Sequence, residues 1–384
     1  LHHSLQPARP LILITYGIWN AWCREVFGDQ AMQCEDHFWR GWERHFRMAI
    51  FHDQIGDDFI LEPWVSVGAV HRRGWGNVWG VQEEIISSGV EGGAWHYKPV
   101  ISEWHDISKL SWPPHEIDEE ATQNNLARVQ EALEDILVVD AMRGPVCQGF
   151  LADISTCLAK LRGLEQIMVD MYESPAELHS LLAFMRDGII ANQEAAERAG
   201  DFSLTTQHNQ AMTYARELEP PQPNSGPRRR RDLWGFGAAQ EYTLISPAMH
   251  EEFLFQYQMP ILRHYGLVHY GCCEDLTHKI GMLRQLPNLR SIAVAPRADV
   301  AKCAEQIGGD YVISWRPNPT DMVCAEWDED RIRRILRAGL ESLCGTHFHI
   351  HLKDIETLQG DTDRLRRWTA IAREEIERCA SVAV

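Results

Sequence analysis

Along most of the chain, short apolar runs alternate with segments whose apolar residues recur every three or four positions. The runs at 59–66, 145–151, 202–207, 233–236, 267–272, 291–295, 311–315 and 347–353 predict strands. The segments between them predict amphipathic helices. One opens on Ser246-Pro247, where Ser caps and Pro suits the first helical position. Others start near Ser174-Pro175, Asp299, Asp328 and Asp361. Eight strands alternating with helices is the count of an α/β (β/α)8 TIM-type barrel. A doubly wound open sheet is the alternative. It usually carries a glycine fingerprint after its first strand, and none is present. The stretch between the first two runs is too long for one helix. The expected organisation is therefore a Trp-rich, helical N-terminal extension over 1–57 and a barrel over 58–384 with an insertion at about 67–140.

Ten of the 14 tryptophans fall between Trp19 and Trp112, which sets this region apart. Within it, Phe38, Trp42 and Phe46 recur at helical spacing in a predicted helix over 34–51. Such a stripe packs a core or a subunit contact, or walls a pocket for an aromatic ligand. A homodimer through this extension is expected.

The 384 residues are 45% apolar and 24% charged, an ordinary globular balance. The net charge of −18 opposes binding to phosphate backbones, so no nucleic-acid partner is expected. The one basic run, Arg228 to Arg231, follows the Pro-rich loop 219–227 and reads as solvated. No window of about 20 apolar residues occurs, so no membrane span is expected. Leu1-His2-His3-Ser4 lacks the build of a signal peptide and is set aside from the functional reading. Ten cysteines in so long a chain do not form a disulfide framework. They suit a reducing cytoplasm, the expected location.

A barrel of this type gathers its chemistry at the C-terminal ends of its strands. The fifth predicted strand ends in His269-Tyr270-Gly271-Cys272-Cys273-Glu274. Imidazole and thiolate are preferred zinc ligands, and carboxylate is acceptable. A turn after Gly271 leaves open which cysteine points inward, and both suit the role of small buried fillers too. In the eighth strand, His347, His349, His351 and Lys353 alternate with Phe348, Ile350 and Leu352. The apolar set should face helices and the His/Lys set the interior. His351 is nearest the active end and His349 one layer deeper. Arg316 with Asn318 is a carboxylate-binding pair by type, to which Lys353 and Arg297 add charge. Glu62 lies on the first predicted strand. His208, Glu241 and Glu274 are candidates for proton transfer.

Over roughly 120–380 the sequence resembles the uroporphyrinogen decarboxylase superfamily, and within it the group related to corrinoid-dependent methyltransferases. The residues that carry this are Ser246-Pro247-Ala248-Met249-His250-Glu251-Glu252-Phe253, the segment 269–274, Leu289-Arg290-Ser291-Ile292 with Ala298-Asp299-Val300, Tyr311-Val312-Ile313-Ser314-Trp315-Arg316-Pro317-Asn318-Pro319, and Leu352-Lys353-Asp354-Ile355-Glu356-Thr357. The resemblance implies a (β/α)8 barrel. In the methyltransferase branch it also implies zinc held by a His-x-Cys pair and a distant Cys. Here the pair is broken: Tyr270-Gly271 follow His269, and the thiol is displaced to Cys272 or Cys273. At the last strand His351 or His349 stands at the distance expected for the other ligand. The decarboxylase branch uses no cofactor, and its Arg-rich N-terminal motif is absent, Arg24 being a weak echo.

These observations lead to a zinc-dependent methyl or alkyl transferase acting on a small acidic or aromatic substrate, with a corrinoid on a partner protein. Zn2+ would be held by His269, Cys272 or Cys273, and His351. Glu274, His208 and Glu241 would be catalytic, and Arg316, Asn318, Lys353 and Glu62 would bind substrate. The alternative is a decarboxylase or other carbon–carbon lyase of a carboxylated aromatic or tetrapyrrole-like substrate. A third reading is a ligand-binding barrel without turnover.

Overall fold

A computed structural model describes residues 2–89, 95–207, 209–211 and 213–382. Among them are ten strands: β1 (Leu11–Ile14), β2 (Trp64–Gly68), β3 (Glu84–Ser87), β4 (Trp95–Lys98), β5 (Val138–Met142), β6 (Trp234–Gly237), β7 (Leu267–Tyr270), β8 (Leu289–Val294), β9 (Val312–Trp315) and β10 (His347–Leu352). Six form one sheet in the order β1-β10-β9-β8-β7-β6. The pairings of β1 with β10, β10 with β9, β6 with β7 and β7 with β8 are parallel. β2 and β5 form a separate parallel pair, and β3 and β4 an antiparallel hairpin. The fold is α/β, with a mostly parallel central sheet and surrounding helices, as the alternating pattern predicts.

The chain forms two compact units, Leu1–Leu61 with Ala293–Val384, and Glu62–Ile292. In the first, β1 and β10 bury Ile12, Leu13, Ile14, Ile350 and Leu352. The outer edge of β1 is closed by side chains. Asp58 accepts the Ile12 N–H at 2.8 Å and Asp57 accepts the Ile14 N–H at 2.8 Å. Two carboxylates thus satisfy donors that a neighbouring strand would otherwise take. The helices Glu329–Ser342 and Arg364–Val382 are joined through buried Glu375, which accepts from Arg333 at 3.0 Å and Arg337 at 2.7 Å.

Helix starts follow the predicted caps. Asp299 and Asp328 accept the N–H of Lys302 and Arg331, and Ser246 that of Met249. Pro175 and Pro247 stand at the first positions of their helices. Three expected strands are displaced or absent, and a further strand lies in the N-terminal segment. The first predicted strand, 59–66, begins instead at Trp64, after Pro63, which has no N–H for a ladder. The second, 145–151, is a turn region with a 3-10 stretch at Gly149–Leu151; the strand lies earlier, at Val138–Met142. The third, 202–207, is a 3-10 turn, Leu204–Thr206, because the hydroxyls of Ser203, Thr205 and Thr206 bond locally. The segment 1–57 contributes a strand, β1, besides its helices.

The aromatic stripe Phe38, Trp42 and Phe46 lies on the helix His37–Ile55, where only Ile55 is buried, so these rings remain half-exposed.

Gly339 is required by close packing in the first unit. A Cβ there would stand 2.1 Å from the Trp315 ring at the end of β9. Gly339→Ala is expected to destabilise by about 1–3 kcal/mol. The check is a urea titration: the midpoint should fall with the slope unchanged.

Candidate functional site

In the unit Glu62–Ile292, β6 and β7 each end in a turn that carries polar side chains. Gly271 adopts φ +104°, a conformation that suits glycine, and turns the chain sharply after β7. The turn decides between the two cysteines. Cys272 is buried against Phe236 and Ala238, while Cys273 is exposed. Their Sγ atoms are 3.5 Å apart, and neither is in a disulfide.

Glu274 is fully buried. One carboxylate oxygen accepts the Ala239 N–H at 2.7 Å and the other the Cys272 N–H at 2.7 Å, which ties the turn after β6 to the turn after β7. Burial, with Cys272 beside it, pushes its carboxyl above the usual range. Asp153, also buried, is held by Thr156 N–H at 2.9 Å and Oγ1 at 2.8 Å. Burial and then the charge of Glu241 push its carboxyl well up, with a further contribution from Glu274. The charges of Glu241 and Glu274 thus both bear on Asp153. Glu241 sits in the 3-10 turn Gln240–Tyr242, half-buried, and its Oε2 makes no hydrogen bond among the described residues. Lys279 donates to the Tyr242 carbonyl at 2.6 Å, and burial brings its amine down to about 8.

Beneath this group lies a rigid polar chain. Gln258 donates to the carbonyls of Asp153 at 2.6 Å and Ala238 at 2.7 Å, and accepts the Tyr270 hydroxyl at 2.6 Å. His250 Nε2 lies 3.2 Å from the same hydroxyl. The tyrosyl proton is already given to Gln258, so His250 is the donor there. Ile154, next to Asp153, has φ +65°. A β-branched residue there is strained, and such strain collects at functional positions.

His269 is buried with both ring nitrogens occupied. Nε2 lies 3.2 Å from the Gly271 carbonyl, which can only accept, so the proton is on Nε2. Nδ1 then accepts from Ser291 Oγ at 3.0 Å. Glu62 precedes β2, at the entrance end of that strand, and accepts the Tyr214 hydroxyl. It therefore lies just before the strand, not on it as the run 59–66 predicts. His208 lies outside the described residues.

In the unit Leu1–Leu61 with Ala293–Val384, Arg316 follows β9 and is 1% exposed. Asn318 is exposed, and its Oδ1 accepts the Thr320 N–H at 3.0 Å, a local turn contact. That bond occupies the carbonyl oxygen of its amide. Lys353 follows β10 and pairs with Asp354 at 3.4 Å. His351 is buried, with Nε2 2.8 Å from Thr15 Oγ1. His349, one layer deeper, has Nε2 2.8 Å from Ser314 Oγ and Nδ1 3.0 Å from His2 Nε2.

Three or more His, Cys, Asp or Glu side chains with ligand atoms within 4.8 Å of one another occur, among the described residues, as the group His2, His3 and His349. The sequence reading had set the first two aside. Asp153 and Lys279 were also missed. Asp153 stands ahead of the Ser-Thr helix start at 155–156, a readable signal; Lys279 has no neighbour in sequence that marks it.

No family model matches the chain, and no curated protein matches it. Among solved structures, a methyltransferase from Methanosarcina mazei shares the fold, with a TM-score of 0.55 over 98% of this chain and 97% of that one, at 11% sequence identity. No helix among the described residues is long and apolar enough to cross a membrane.

The two cysteines should differ in reactivity. In the folded chain a maleimide is expected to label Cys273 within minutes and Cys272 only after denaturation, as read by peptide mass mapping. The depressed Lys279 amine sets a pH dependence. Between about pH 8 and the ordinary lysine value near 10.4, the unfolded chain holds a proton that the folded chain has lost, so stability rises with pH. Lys279→Met is expected to flatten that rise, measured as the difference between urea midpoints at either end of the window.

Proposed function

We propose that the chain is a methyl or alkyl transferase with its reacting groups at the ends of β6 and β7. The observation that carries this reading is the grouping of Cys272, Cys273 and Glu274 on one turn, with Glu241 of the acidic cluster half-open beside Asp153. The fold shared with a methyltransferase supports it. In this reading the eight parallel strands, six and two, form a (β/α)8 barrel, and the extension 1–57 with its half-exposed Phe38, Trp42 and Phe46 serves a homodimer.

Glu241 has the chemistry of the general base. Its carboxylate takes the proton of an acceptor S–H or O–H as the new bond to the methyl carbon forms, while the leaving group departs with its bonding pair. Glu274 positions the two turns and does not move the proton. Arg316 and Lys353 supply positive charge for an acidic substrate. The methyl donor is a corrinoid carried by a partner protein.

Zinc on His269, Cys272, Cys273 and His351 enters as a question for measurement. The His269 ring is committed on both nitrogens, to Ser291 and Gly271, so this residue does not fit a metal as it stands. No step of the reaction is routed through zinc.

A second reading, decarboxylation without a redox cofactor, is favoured by the raised carboxyls of Asp153 and Glu274. Burial disfavours the charged form of both side chains, which lessens their repulsion of a substrate carboxylate.

The deciding assay follows methyl transfer from methylcobalamin to a panel of thiols and phenols. Turnover is expected, and Glu241→Gln should lower it about 10²–10⁴-fold with folding intact. Release of carbon dioxide from carboxylated aromatics, with no methyl transfer, would move the assignment to the lyase. Loss of bound metal in Cys272→Ser or Cys273→Ser would restore zinc to the site.

A further inference from the structure

Far from the turn after β7 in sequence, the chain assembles a second group of metal-ligating side chains. We infer that His2, His3 and His349 form a binding site for a divalent first-row transition ion of the zinc class. The proposal does not rest on the reading of the reaction given above.

The geometry comes from two elements. His349 stands in the middle of β10, fully buried, with its register partner Ser314 on β9. Its Nε2 lies 2.8 Å from Ser314 Oγ, and its Nδ1 points to His2 Nε2 at 3.0 Å. His2 and His3 occupy a 3-10 turn, His2–Ser4, and are themselves 7% and 1% exposed. The His2 ring lies 4.8 Å from that of His3 and 5.2 Å from that of His349, measured between centroids, and the His3 and His349 rings are 5.8 Å apart. One ligating nitrogen from each falls within 4.8 Å of the others.

Three features distinguish this arrangement from a set of ordinary core histidines. First, the turn is held inward at a cost. Leu5 adopts φ +54°, a left-handed conformation unfavourable for a branched side chain, and its N–H closes the turn on the His2 carbonyl at 3.1 Å. Second, His349 has the arrangement of a metal-bound imidazole: one nitrogen on a hydroxyl that fixes the ring, the other directed at the group of ligands. Third, an open cavity of about 320 Å³ reaches His2, bounded by Pro7, Pro10, His347 and Phe348, so an ion and a water in the remaining position have a way in.

The donor set selects the ion. Three neutral imidazoles suit zinc and its transition-metal neighbours over magnesium or calcium, which require oxygen. Zinc–nitrogen bonds of about 2.0–2.1 Å place tetrahedral ligand atoms about 3.3 Å apart. The 3.0 Å pair would open slightly, and the rest would close by rotation of two side chains on a short turn. Each ring coordinates through a lone pair, so the proton shared between His2 and His349 moves to the other nitrogen of its ring: one N–H bond breaks and one forms, with solvent carrying the proton. The bound ion would fasten the segment before β1 to β10, the strand beside it.

The test uses the full chain without an affinity tag, stripped with a chelator and titrated with Zn2+ and with Co2+, the latter read by its visible absorption. One ion per chain is expected by equilibrium dialysis and elemental analysis. Binding should weaken at least tenfold in His3→Ala and in His349→Ala, and about tenfold in Ser314→Ala, which removes only the hydroxyl behind the ligand. It should be unchanged in Cys272→Ser/Cys273→Ser. His349→Ala places a hole in the sheet, so His3→Ala on the terminal turn is the decisive variant. Its thermal midpoint without metal should match that of the unaltered chain, and Zn2+ should raise the midpoint only in the latter. Absence of stoichiometric metal, or metal that survives His3→Ala, overturns the proposal. Metal that survives His3→Ala and is lost with the two cysteines places it at β7 instead, which sinks this site and revives zinc in the transferase reading.

Discussion

A buried imidazole has two nitrogens, and each needs a partner, because an unsatisfied polar atom in a protein interior costs about 1–3 kcal/mol. That requirement organises the polar interior of both units. On β7, His269 answers it locally, with the Ser291 hydroxyl from β8 and the carbonyl of Gly271. His250 answers it at Nε2 with the Tyr270 hydroxyl, which is held in turn by Gln258, while its Nδ1 is buried without a hydrogen bond among the described residues. On β10, His351 uses Thr15 and His349 uses Ser314, leaving the other nitrogen of His349 for the terminal segment. His269 is satisfied by residues of β8 and of its own turn, whereas His349 takes one of its two partners from the segment before β1.

Backbone groups impose a parallel demand at the sheet edge. Asp57 and Asp58 take the donors of Ile14 and Ile12 at the end of the six-strand order. Glu274 does the equivalent for the turns that follow β6 and β7. A carboxylate placed to accept two backbone N–H groups sets the position of Cys272, and the glycine before it sets the direction in which Cys273 leaves. The side chains proposed to react are therefore held by elements that are rigid for reasons unrelated to chemistry, which is what precise positioning needs.

Parts of the site were legible in the residues alone. The cluster at 269–274 could be singled out because His, two Cys and a Glu rarely crowd the end of an apolar run by accident. Glu241 could be placed after the next strand back by the same counting. Other parts were not. Asp153 joins Glu241 and Glu274 from a point far away in sequence, and no local pattern signals that coupling. Glu62 lost its place because Pro63 moved the start of its strand. Asn318 uses its amide oxygen to close a local turn, a contact that its residue type does not announce.

Periodicity is a local property, and it was enough for the α/β class, for six of the parallel strands and for the helix starts, since side chains alternate across a strand and repeat every 3.6 residues on a helix whatever surrounds them. The four residues of β1 were too few to show a period, and the polar residues of 202–207 satisfied themselves before a ladder could. Which cysteine faces inward, which imidazoles are already satisfied, and that two histidines near the N-terminus meet a third some 350 positions later were settled by tertiary structure alone. These depend on contacts between residues distant along the chain, and the free energy of burying a polar group is set by the partner it meets there, which no window of sequence contains.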